Sequence, residues 1–322
     1  MFLYFKDGKE ILSSIVSSQE NIHHKYGGVV PEIASRMHVK AIDVIVNKAI
    51  NKAKITIEKI DGVAVTRGPG LIGSLLVGFS FAKAFAWARK IPWVGVNHLE
   101  GHIYSVLLNN NPPKFPFISL LASGGHTNLY YVTSYNDFHI LGQTRDDAAG
   151  ESFDKVAKML GMGYPGGAVI EKLAAKGDPC LIKFPRPLCN KNSKDSFDFS
   201  FSGLKSAVAR YIQKNKNFIN EQKADIAAGF QEAVLDILSL KLINAGKLKN
   251  CIDIAVTGGV AINSALAEKI KKNILNSKLK FHVPFKKLCG DNAAMIGARG
   301  YKLLEKGKLS KLKHDVFSRN RL

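Results

Sequence analysis

The sequence predicts a protein of the α/β class. Short segments rich in β-branched and aromatic residues alternate with longer segments whose apolar residues repeat at helical spacing. The chain has 322 residues, of which 46% are hydrophobic and 22% charged, so it can bury a large core without disulfides. An Asn-Asn-Pro-Pro run at residues 110–113 is the strongest linker signal. We therefore expect a boundary between two lobes at this run.

The first part of the chain predicts two strand–helix units. A short strand spans Ile60 to Thr66, a turn follows at residues 67–70, and an apolar helix spans Ile72 to Arg89. A second strand spans Ile91 to Val96, and a further helix begins near Asn97. This alternation is typical of a sheet covered by helices.

The second part predicts a sheet, an insertion and further helices. Two strands, Phe115 to Ala122 and Asn128 to Thr133, flank a turn at residues 123–127. Residues 176–203 are rich in Pro, Asn, Ser and Lys and predict a long irregular insertion, a length that usually indicates a functional loop. The remaining predicted elements are helices 204–215 and 221–246, a strand from Ile252 to Thr257, and a helix after Val260 with an apolar stripe of Ile262, Leu266, Ile270 and Ile274.

Composition disfavours membrane and secreted classes. The longest apolar run, Leu71 to Ala82, is broken by Gly and Ser and is shorter than the ~20 residues that span a bilayer. The apolar start meets Lys6 and Asp7 at once, unlike the hydrophobic part of a signal peptide. The four cysteines show no Cys-x-x-Cys spacing, which disfavours a disulfide framework. We expect a cytoplasmic protein.

The chain is strongly basic. Its 46 Lys and Arg against 26 Asp and Glu give a net charge of +20, and residues 269–322 hold fifteen basic and three acidic residues, a net +12. Clustered positive charge attracts polyanions, nucleic acid first among them. The other interpretation is compositional, because Lys outnumbers Arg 37 to 9.

Two Gly-Gly turns follow predicted strands, one at Ser123-Gly124-Gly125 and one at Thr257-Gly258-Gly259. Glycine permits positive φ and close backbone approach, which suits contact with a phosphate or nucleotide. Ser123, Thr127 and Thr257 add hydroxyl groups, and the second turn leads into a helix N-terminus. Ordinary tight turns show the same pattern, so the turns alone leave the function open.

The motif His98-Leu99-Glu100-Gly101-His102 places two imidazoles one above the other on a helix face. They could occupy two neighbouring positions on a metal ion, or they could be ordinary core or surface histidines. In zinc peptidases with such a pair, the catalytic Glu directly follows the first His. Glu100 lies two residues after His98, about 180° from the histidine face, and we therefore reject a peptidase mechanism.

A third metal ligand has to come from elsewhere in the chain. Asp291 opens an apolar helix, where it could be a ligand or a helix N-cap. Two neutral imidazoles and one carboxylate with open positions favour Fe(II), with Zn(II) as the alternative.

With these motifs assembled, the chain resembles the tRNA N6-adenosine threonylcarbamoyltransferase (TsaD-type) family. The resemblance begins near Tyr26 and runs to the C-terminal region with the motifs in the same order. The motifs that carry it are GGVVPEIASR at 27–36, GPG at 68–70, HLEGH at 98–102, SGGHT at 123–127, GESFDK at 150–155, YPGG at 164–167, FSFSGLK at 199–205, TGGVAIN at 257–263 and GDNAAM at 290–295.

The resemblance implies an actin-like ATPase fold, with two RNase H-like lobes around a nucleotide cleft. Residues 1–110 and 295–322 would form the first lobe and residues 111–294 the second. It implies that the threonylcarbamoyl group moves from threonylcarbamoyl-adenylate to N6 of the adenosine beside the tRNA anticodon. The implied partners, besides tRNA, are a metal-less paralogous subunit and a small P-loop ATPase.

The same motif match implies site residues. His98, His102 and Asp291 would hold one Fe(II), with Zn(II) possible. The residues that would line the adenylate site are Leu121, Ala122, Ser123, Gly124, Gly125, Asp154, Gly167, Glu171 and Asn263. Glu171 replaces the family's usual Asp, and we expect its carboxylate to keep the ribose contact. Because the substrate brings a good leaving group, we expect direct acyl transfer without a covalent enzyme intermediate.

The start of the chain departs from the family's pattern. Family members begin with a strand and a loop of the type Gly-Ile-Glu-[Thr/Ser]-Ser-Cys-Asp, whereas residues 1–18 resemble only the family's next segment after that loop. Without that strand, a neighbour in the sheet exposes an unpaired edge. We therefore expect a less stable fold and low activity.

Two alternatives stay open. The first is an inactive or scaffold member of the family, because the N-terminal motif is missing. A scaffold would lack His98, His102 and Asp291 together, and this chain keeps all three. An ATP-dependent phosphotransferase of the same fold would need no such metal pair. Metal analysis separates both alternatives from the transferase.

Overall fold

The structure, a computed structural model, describes residues 2–6, 8, 10–19, 22–23, 25–26, 28–189 and 197–319. The chain forms two compact units, unit 1 from residues 1–110 and 291–322 and unit 2 from residues 111–290. The division after residue 110 lies at the Asn-Pro linker. The return to unit 1 lies between Gly290 and Asp291, whereas the sequence placed it between residues 294 and 295.

Helices and strands alternate along both units. The α-helices are α1 (Pro31–Ala53), α2 (Ile72–Arg89), α3 (His98–Leu107), α4 (Ala149–Met159), α5 (Gly166–Ala174), α6 (Ser202–Lys214), α7 (Ile219–Leu248), α8 (Ser264–Ile274), α9 (Lys286–Cys289) and α10 (Ala293–Glu305). The strands are β1 (Phe2–Lys6), β2 (Glu10–Ile15), β3 (Val63–Gly68), β4 (Trp93–Asn97), β5 (Phe117–Ala122), β6 (Thr127–Ser134), β7 (Asp137–Gln143), β8 (Asp253–Thr257) and β9 (Lys280–His282).

Unit 1 contains two strand pairs. Strand β1 pairs antiparallel with β2, and β3 pairs parallel with β4; among the described residues these pairs are separate sheets. Helix α10 packs on β1, β3 and β4 and therefore contacts both strand pairs. At Gly300 of α10, an added Cβ would lie 2.2 Å from Cβ of Ala64 on β3. Glycine is therefore required for this close helix–strand approach.

Unit 2 is built on a five-stranded sheet of order β7-β6-β5-β8-β9. The first three strands are antiparallel neighbours, and β5, β8 and β9 run parallel. Its buried core includes aliphatic residues of β5 and β8 and much of helix α7. The central strands are buried on both faces, as expected of a sheet with covered faces.

Most predicted elements of the α/β pattern are present, and the differences are local. Strand β3 begins at Val63 rather than Ile60, because residues 57–59 form a short 3-10 helix. Strand β7 was not predicted, since its residues are largely exposed and carry no clear alternation. Ile262 was predicted in the buried stripe of the helix after Val260, but it lies in a 3-10 turn before α8 and is 43% exposed.

The irregular insertion predicted at 176–203 is partly covered by the described residues. Residues 190–196 of it lie outside them, and α6 begins at Ser202. Before Ser202, the described part has no helix or strand beyond a single bridge from Phe199 to Thr144. Phe184, Phe197 and Phe199 are nevertheless buried, so the insertion is anchored in the core of unit 2. No described helix is long and apolar enough to cross a membrane.

Candidate metal centre and substrate-binding residues

The histidine motif forms the start of helix α3. The side chain of Asn97 caps this helix by accepting a hydrogen bond from the backbone N–H of Leu99 at 2.9 Å. Helix α3 therefore begins at His98, and His102 follows one turn later, with 4.6 Å between the ring centroids. Both Nε2 atoms face Oδ1 of Asp291, at 3.2 Å for His98 and 3.1 Å for His102.

Asp291 is not the cap of helix α10. That position belongs to Asn292, whose side-chain oxygen accepts a hydrogen bond from the N–H of Met295 at 2.8 Å. The carboxylate of Asp291 instead lies against the two imidazoles. Of the two possibilities that the sequence left open, the geometry favours the ligand over the cap.

The protonation states of the cluster suit a cation. Burial of His102 lowers its pKa, an effect that outweighs the opposing hydrogen bond to the Asp291 carboxylate, so the neutral ring is favoured at pH 7. For Asp291, desolvation acts to raise the pKa, but the hydrogen bonds that its carboxylate accepts from His102 and His98 outweigh desolvation and hold the pKa well below its usual value. An ionised carboxylate and a neutral imidazole are the forms that ligate metals.

The donor set fits a divalent metal ion. The ligand atoms of His98, His102 and Asp291 all lie within 4.8 Å of one another, and within the described ranges no other group of His, Cys, Asp and Glu meets this condition. The side chain of His102 is buried, whereas that of Asp291 is 74% exposed. One side of the cluster is therefore held by protein, and the other is accessible to a ligand.

Glu100 has a partner that the sequence did not predict. Its carboxylate accepts a hydrogen bond from Nε of Arg299 on α10 at 2.5 Å, and the Arg299 side chain is only 5% exposed. The guanidinium also lies over the ring of Tyr104, 5.3 Å from its centroid. This contact joins helix α3, which carries both histidines, to the helix that follows Asp291. A single Arg inside the apolar run AAMIGARG was the signal that could have identified it.

The two Gly-Gly turns are neighbours in unit 2. Strands β5 and β8 run parallel with Leu121 opposite Thr257, so both turns leave the same edge of the sheet. Gly258 has φ +88°, and an added Cβ there would lie 2.4 Å from the carbonyl oxygen of Ala122. The sequence predicts that each turn suits contact with a phosphate or nucleotide, and their adjacency is compatible with both turns contacting one such ligand.

The predicted hydroxyl groups at these turns differ in their use. Thr127 Oγ1 accepts a hydrogen bond from the N–H of Ala149 at 2.8 Å and so supports the start of α4. Ser123 Oγ accepts one from the N–H of His126 at 3.1 Å and closes its own turn. Thr257 Oγ1 is buried and has no hydrogen-bond partner among the described residues.

The other residues predicted to line the adenylate site form local contacts within unit 2. Oδ1 of Asp154 accepts a hydrogen bond from the N–H of Gly166 at 2.7 Å, next to Gly167. Oε1 of Glu171 accepts from the N–H and Oγ of Ser264, at 2.8 and 2.7 Å. Asn263 caps α8 through the N–H of Leu266 and donates to Oε1 of Gln231 at 3.0 Å. Glu171 and Asn263 thus meet at the start of α8, while Asp154 and Gly167 meet at the start of α5.

Free space adjoins the glycines of this set. An added Cβ at Gly124, Gly125 or Gly167 would meet no heavy atom within 4 Å. The backbone at these positions is therefore open on one side. This openness suits close approach of a ligand to the main chain.

Comparison with solved structures defines the class of fold. The structure of HypF from T. kodakarensis is similar, with a TM-score of 0.61 and 16% sequence identity. The match covers 82% of this chain and 44% of the HypF chain. Component A of the (R)-2-hydroxyglutaryl-CoA dehydratase from Acidaminococcus fermentans matches 92% of each chain, with a TM-score of 0.52 and 16% identity. The chain has the actin-like ATPase fold of these proteins.

Sequence comparison then defines the family. The family model described as TsaD, tRNA N6-adenosine threonylcarbamoyltransferase, matches residues 10–298. The tRNA N6-adenosine threonylcarbamoyltransferase of Desulforapulum autotrophicum is 62% identical over 315 residues, which cover 98% of this chain and 94% of the relative. The chain belongs to this family of acyl-transferring, tRNA-modifying enzymes.

Proposed function

We propose that this chain transfers the threonylcarbamoyl group of threonylcarbamoyl-adenylate to N6 of the adenosine beside the tRNA anticodon. The observation that carries the proposal is the convergence of His98, His102 and Asp291, which a scaffold or a phosphotransferase of this fold would not need. Family membership supplies the reaction class. No observation favours either alternative.

We propose that His98, His102 and Asp291 hold one Fe(II) ion, with Zn(II) as the second choice. Two imidazoles and one carboxylate that leave positions open are the donor set of many non-haem iron sites. When bound, such an ion supplies a Lewis acid that polarises a carbonyl or phosphate oxygen. The role of the Glu100–Arg299 contact is to keep the histidine helix in place relative to Asp291.

The adenylate would bind in unit 2. Backbone N–H groups of the turn Leu121, Ala122, Ser123, Gly124 and Gly125 would donate to the phosphate, because the glycines leave the main chain accessible. Asp154, Gly167, Glu171 and Asn263 would orient the nucleoside. Since Oε1 of Glu171 already accepts two hydrogen bonds from Ser264, the ribose contact would fall to Oε2. The longer side chain of Glu171 would thus serve α8 and the ligand together.

Transfer would be direct. The N6 amine of adenine would attack the carbamoyl carbon, the bond from that carbon to the AMP phosphate oxygen would break, and AMP would leave with the electron pair. N6 would lose one proton, which water or the leaving phosphate accepts. Hydrogen-bond donors at the turn would stabilise the negative charge on the leaving AMP. Isolation of an acyl-enzyme adduct on any side chain after rapid quenching would contradict this mechanism.

The partners proposed for the reaction are the tRNA, a metal-less paralogous subunit and a small P-loop ATPase, in the cytoplasm. The net charge of +20 supports the nucleic-acid partner. The two protein partners rest on the family resemblance alone.

The test is modification of unmodified tRNA in vitro, with threonylcarbamoyl-adenylate supplied. We expect His98→Ala to lower the rate of N6-threonylcarbamoyladenosine formation at least ~100-fold, because a lost ligand removes the metal. His139→Ala is the matched control, since His139 also contacts an aspartate, Asp137, but belongs to no group of three ligands among the described residues. Wild-type rates in both variants, or no product from wild type with its partners present, would overturn the proposal.

A further inference from the structure

The segment that follows helix α10 contacts both strands of the β3–β4 pair in unit 1. We name residues 308–317 the C-terminal strap. The N–H of Ser310 donates to the carbonyl of Trp93 at 2.9 Å, and its Oγ accepts from the N–H of Gly95. At the other end, the N–H of Phe317 donates to the carbonyl of Arg67 at 3.1 Å. The C-terminal strap is thus attached to β4 near its start and to β3 near its end.

The C-terminal strap ends at the edge of the sheet that carries the metal centre. Strand β3 ends at Gly68, which pairs with Asn97 at the end of β4, and His98 is the next residue. An added Cβ at Gly68 would lie 2.3 Å from the carbonyl oxygen of Phe317, so the C-terminal strap is in close contact with this edge. All of these residues belong to unit 1.

The C-terminal strap is basic, and its charges are grouped. It holds three lysines, Lys308, Lys311 and Lys313, and one acidic residue, Asp315. Lys311 and Lys313 are exposed. Arg67 of β3 adds a guanidinium that donates to the backbone carbonyl of Asp315 at 2.7 Å.

The same positive charges affect the pKa of His314, which lies in the C-terminal strap. The pKa of His314 is lowered below its usual value. Desolvation is the largest cause, followed by the positive charges of Arg67, Lys313, Lys311 and Lys83.

Val316 of the C-terminal strap packs against the cluster of Phe79, Ala86 and Trp93, and Nζ of Lys83 lies 4.8 Å from the centroid of the Phe79 ring. Lys83 of α2 and Arg67 of β3 therefore lie on elements that contact the C-terminal strap.

Among the described residues, none of these cations has a carboxylate as an ion-pair partner. The ion pairs of the described residues involve other Lys, Arg and His side chains. Lys83, Lys311, Lys313 and Arg67 take part in none of them. Asp315 is the one acidic residue of the C-terminal strap, so its lysines and Arg67 leave an excess of positive charge that a bound anion would stabilise. Nucleic acid phosphates are repeated anions at a spacing that such a group can follow.

We propose that the C-terminal strap, with Arg67 and Lys83, binds the phosphate backbone of the tRNA beside the metal-centre edge of unit 1. The proposal deepens the proposed function and rests on it, because it names the surface that receives the substrate. Phosphate contacts fix position and orientation without reading sequence. Here they would hold the anticodon arm close to the side chains that act on it.

The test measures tRNA affinity against salt concentration, with purified full-length chain and unmodified tRNA. Lys311→Glu/Lys313→Glu should lower the affinity at least ~10-fold near 100 mM salt and reduce the slope of log K against log salt by about 2. Lys271→Glu/Lys272→Glu is the matched control, because these lysines are also exposed, lie in the same basic region of the sequence and change the net charge equally. The control should keep at least about half of the wild-type affinity.

A second variant separates lost contacts from new repulsion. Lys311→Ala/Lys313→Ala removes charge without reversing it and should reduce the same slope by about 2. Thermal melting and metal content of each variant, expected to equal wild type, show that unit 1 is folded. If Lys311→Glu/Lys313→Glu and Lys271→Glu/Lys272→Glu lose tRNA affinity equally, the affinity depends on net charge rather than on the C-terminal strap. That result would overturn the proposal. Unchanged tRNA affinity in the strap variants would also overturn the proposal. This holds even if those variants no longer bind a protein partner.

The same samples distinguish this proposal from the proposed function. If wild type modifies tRNA and the C-terminal strap variants bind it normally, the strap proposal fails and the function stands. If wild type binds tRNA through the C-terminal strap but never forms the modified nucleoside, the function fails and the surface stands.

Discussion

At the scale of single residues, the candidate metal centre depends on side chains that do not ligate as well as on those that would. Glu100 lies on the side of α3 away from the histidines, which excluded a peptidase mechanism, and the structure shows its contact there with Arg299. A buried guanidinium that loses its carboxylate partner is left uncompensated. The Glu100–Arg299 pair therefore joins two helices at the point where the ligands meet.

We predict that Glu100→Gln lowers the free energy of unfolding by about 2 kcal/mol, less than for a fully buried pair because Glu100 is partly exposed. It should also weaken metal binding, measured by titration with Zn(II) or Fe(II), because α3 and Asp291 lose a shared constraint. Glu305→Gln is the control, since the Lys302–Glu305 pair on α10 is exposed and should contribute under about 0.5 kcal/mol. Equal unfolding free energies for both variants would contradict the assigned role.

At the scale of secondary structure, helix α10 connects the β3–β4 pair of unit 1 to the candidate metal centre. It follows Asp291, packs on β3 and β4, and carries Arg299. Gly300 allows the helix to approach Ala64 closely, whereas Gly78 of α2 has its nearest neighbour, Cγ2 of Val65, at 3.9 Å from an added Cβ. The same substitution should therefore have opposite effects at the two positions.

We predict that Gly300→Ala lowers the free energy of unfolding by about 1 to 3 kcal/mol, because the clash with Ala64 exceeds the gain in helix propensity. Gly78→Ala should raise stability by up to about 1 kcal/mol, because only the propensity changes. Urea denaturation at constant pH measures both. Stabilisation by Gly300→Ala would show that α10 does not press on β3.

The elements also show what the sequence can and cannot predict. Helix α2 has the predicted bounds, because its apolar run lies between a Gly-Pro-Gly turn and a Lys-Ile-Pro stop. Strand β7 escaped prediction, since it is held by pairing with β6 rather than by its own pattern. The sequence could propose Asp291 as a ligand, but it left a helix cap as the alternative. The structure shows that Asn292 caps α10, which leaves the Asp291 carboxylate available as a ligand. The pairing of Glu100 with Arg299, 199 positions apart, left no periodic signal.

At the scale of the whole molecule, the chemistry is divided between the two units. The candidate metal-ligating residues lie in unit 1, and the residues expected to bind the adenylate lie in unit 2. The C-terminal strap adds a basic surface to the unit that holds the metal centre. Each unit thus carries an incomplete set of groups, and we expect the reaction to require the intact chain.

The central claim, that two imidazoles and a carboxylate form one metal site, is tested most directly by metal content. Anaerobically purified wild-type protein, loaded with Fe(II) and desalted, should retain about one ion per chain by elemental analysis. His98→Ala, His102→Ala and Asp291→Ala should each retain far less, while His139→Ala should match wild type. Full retention of iron by the three ligand variants would contradict the account.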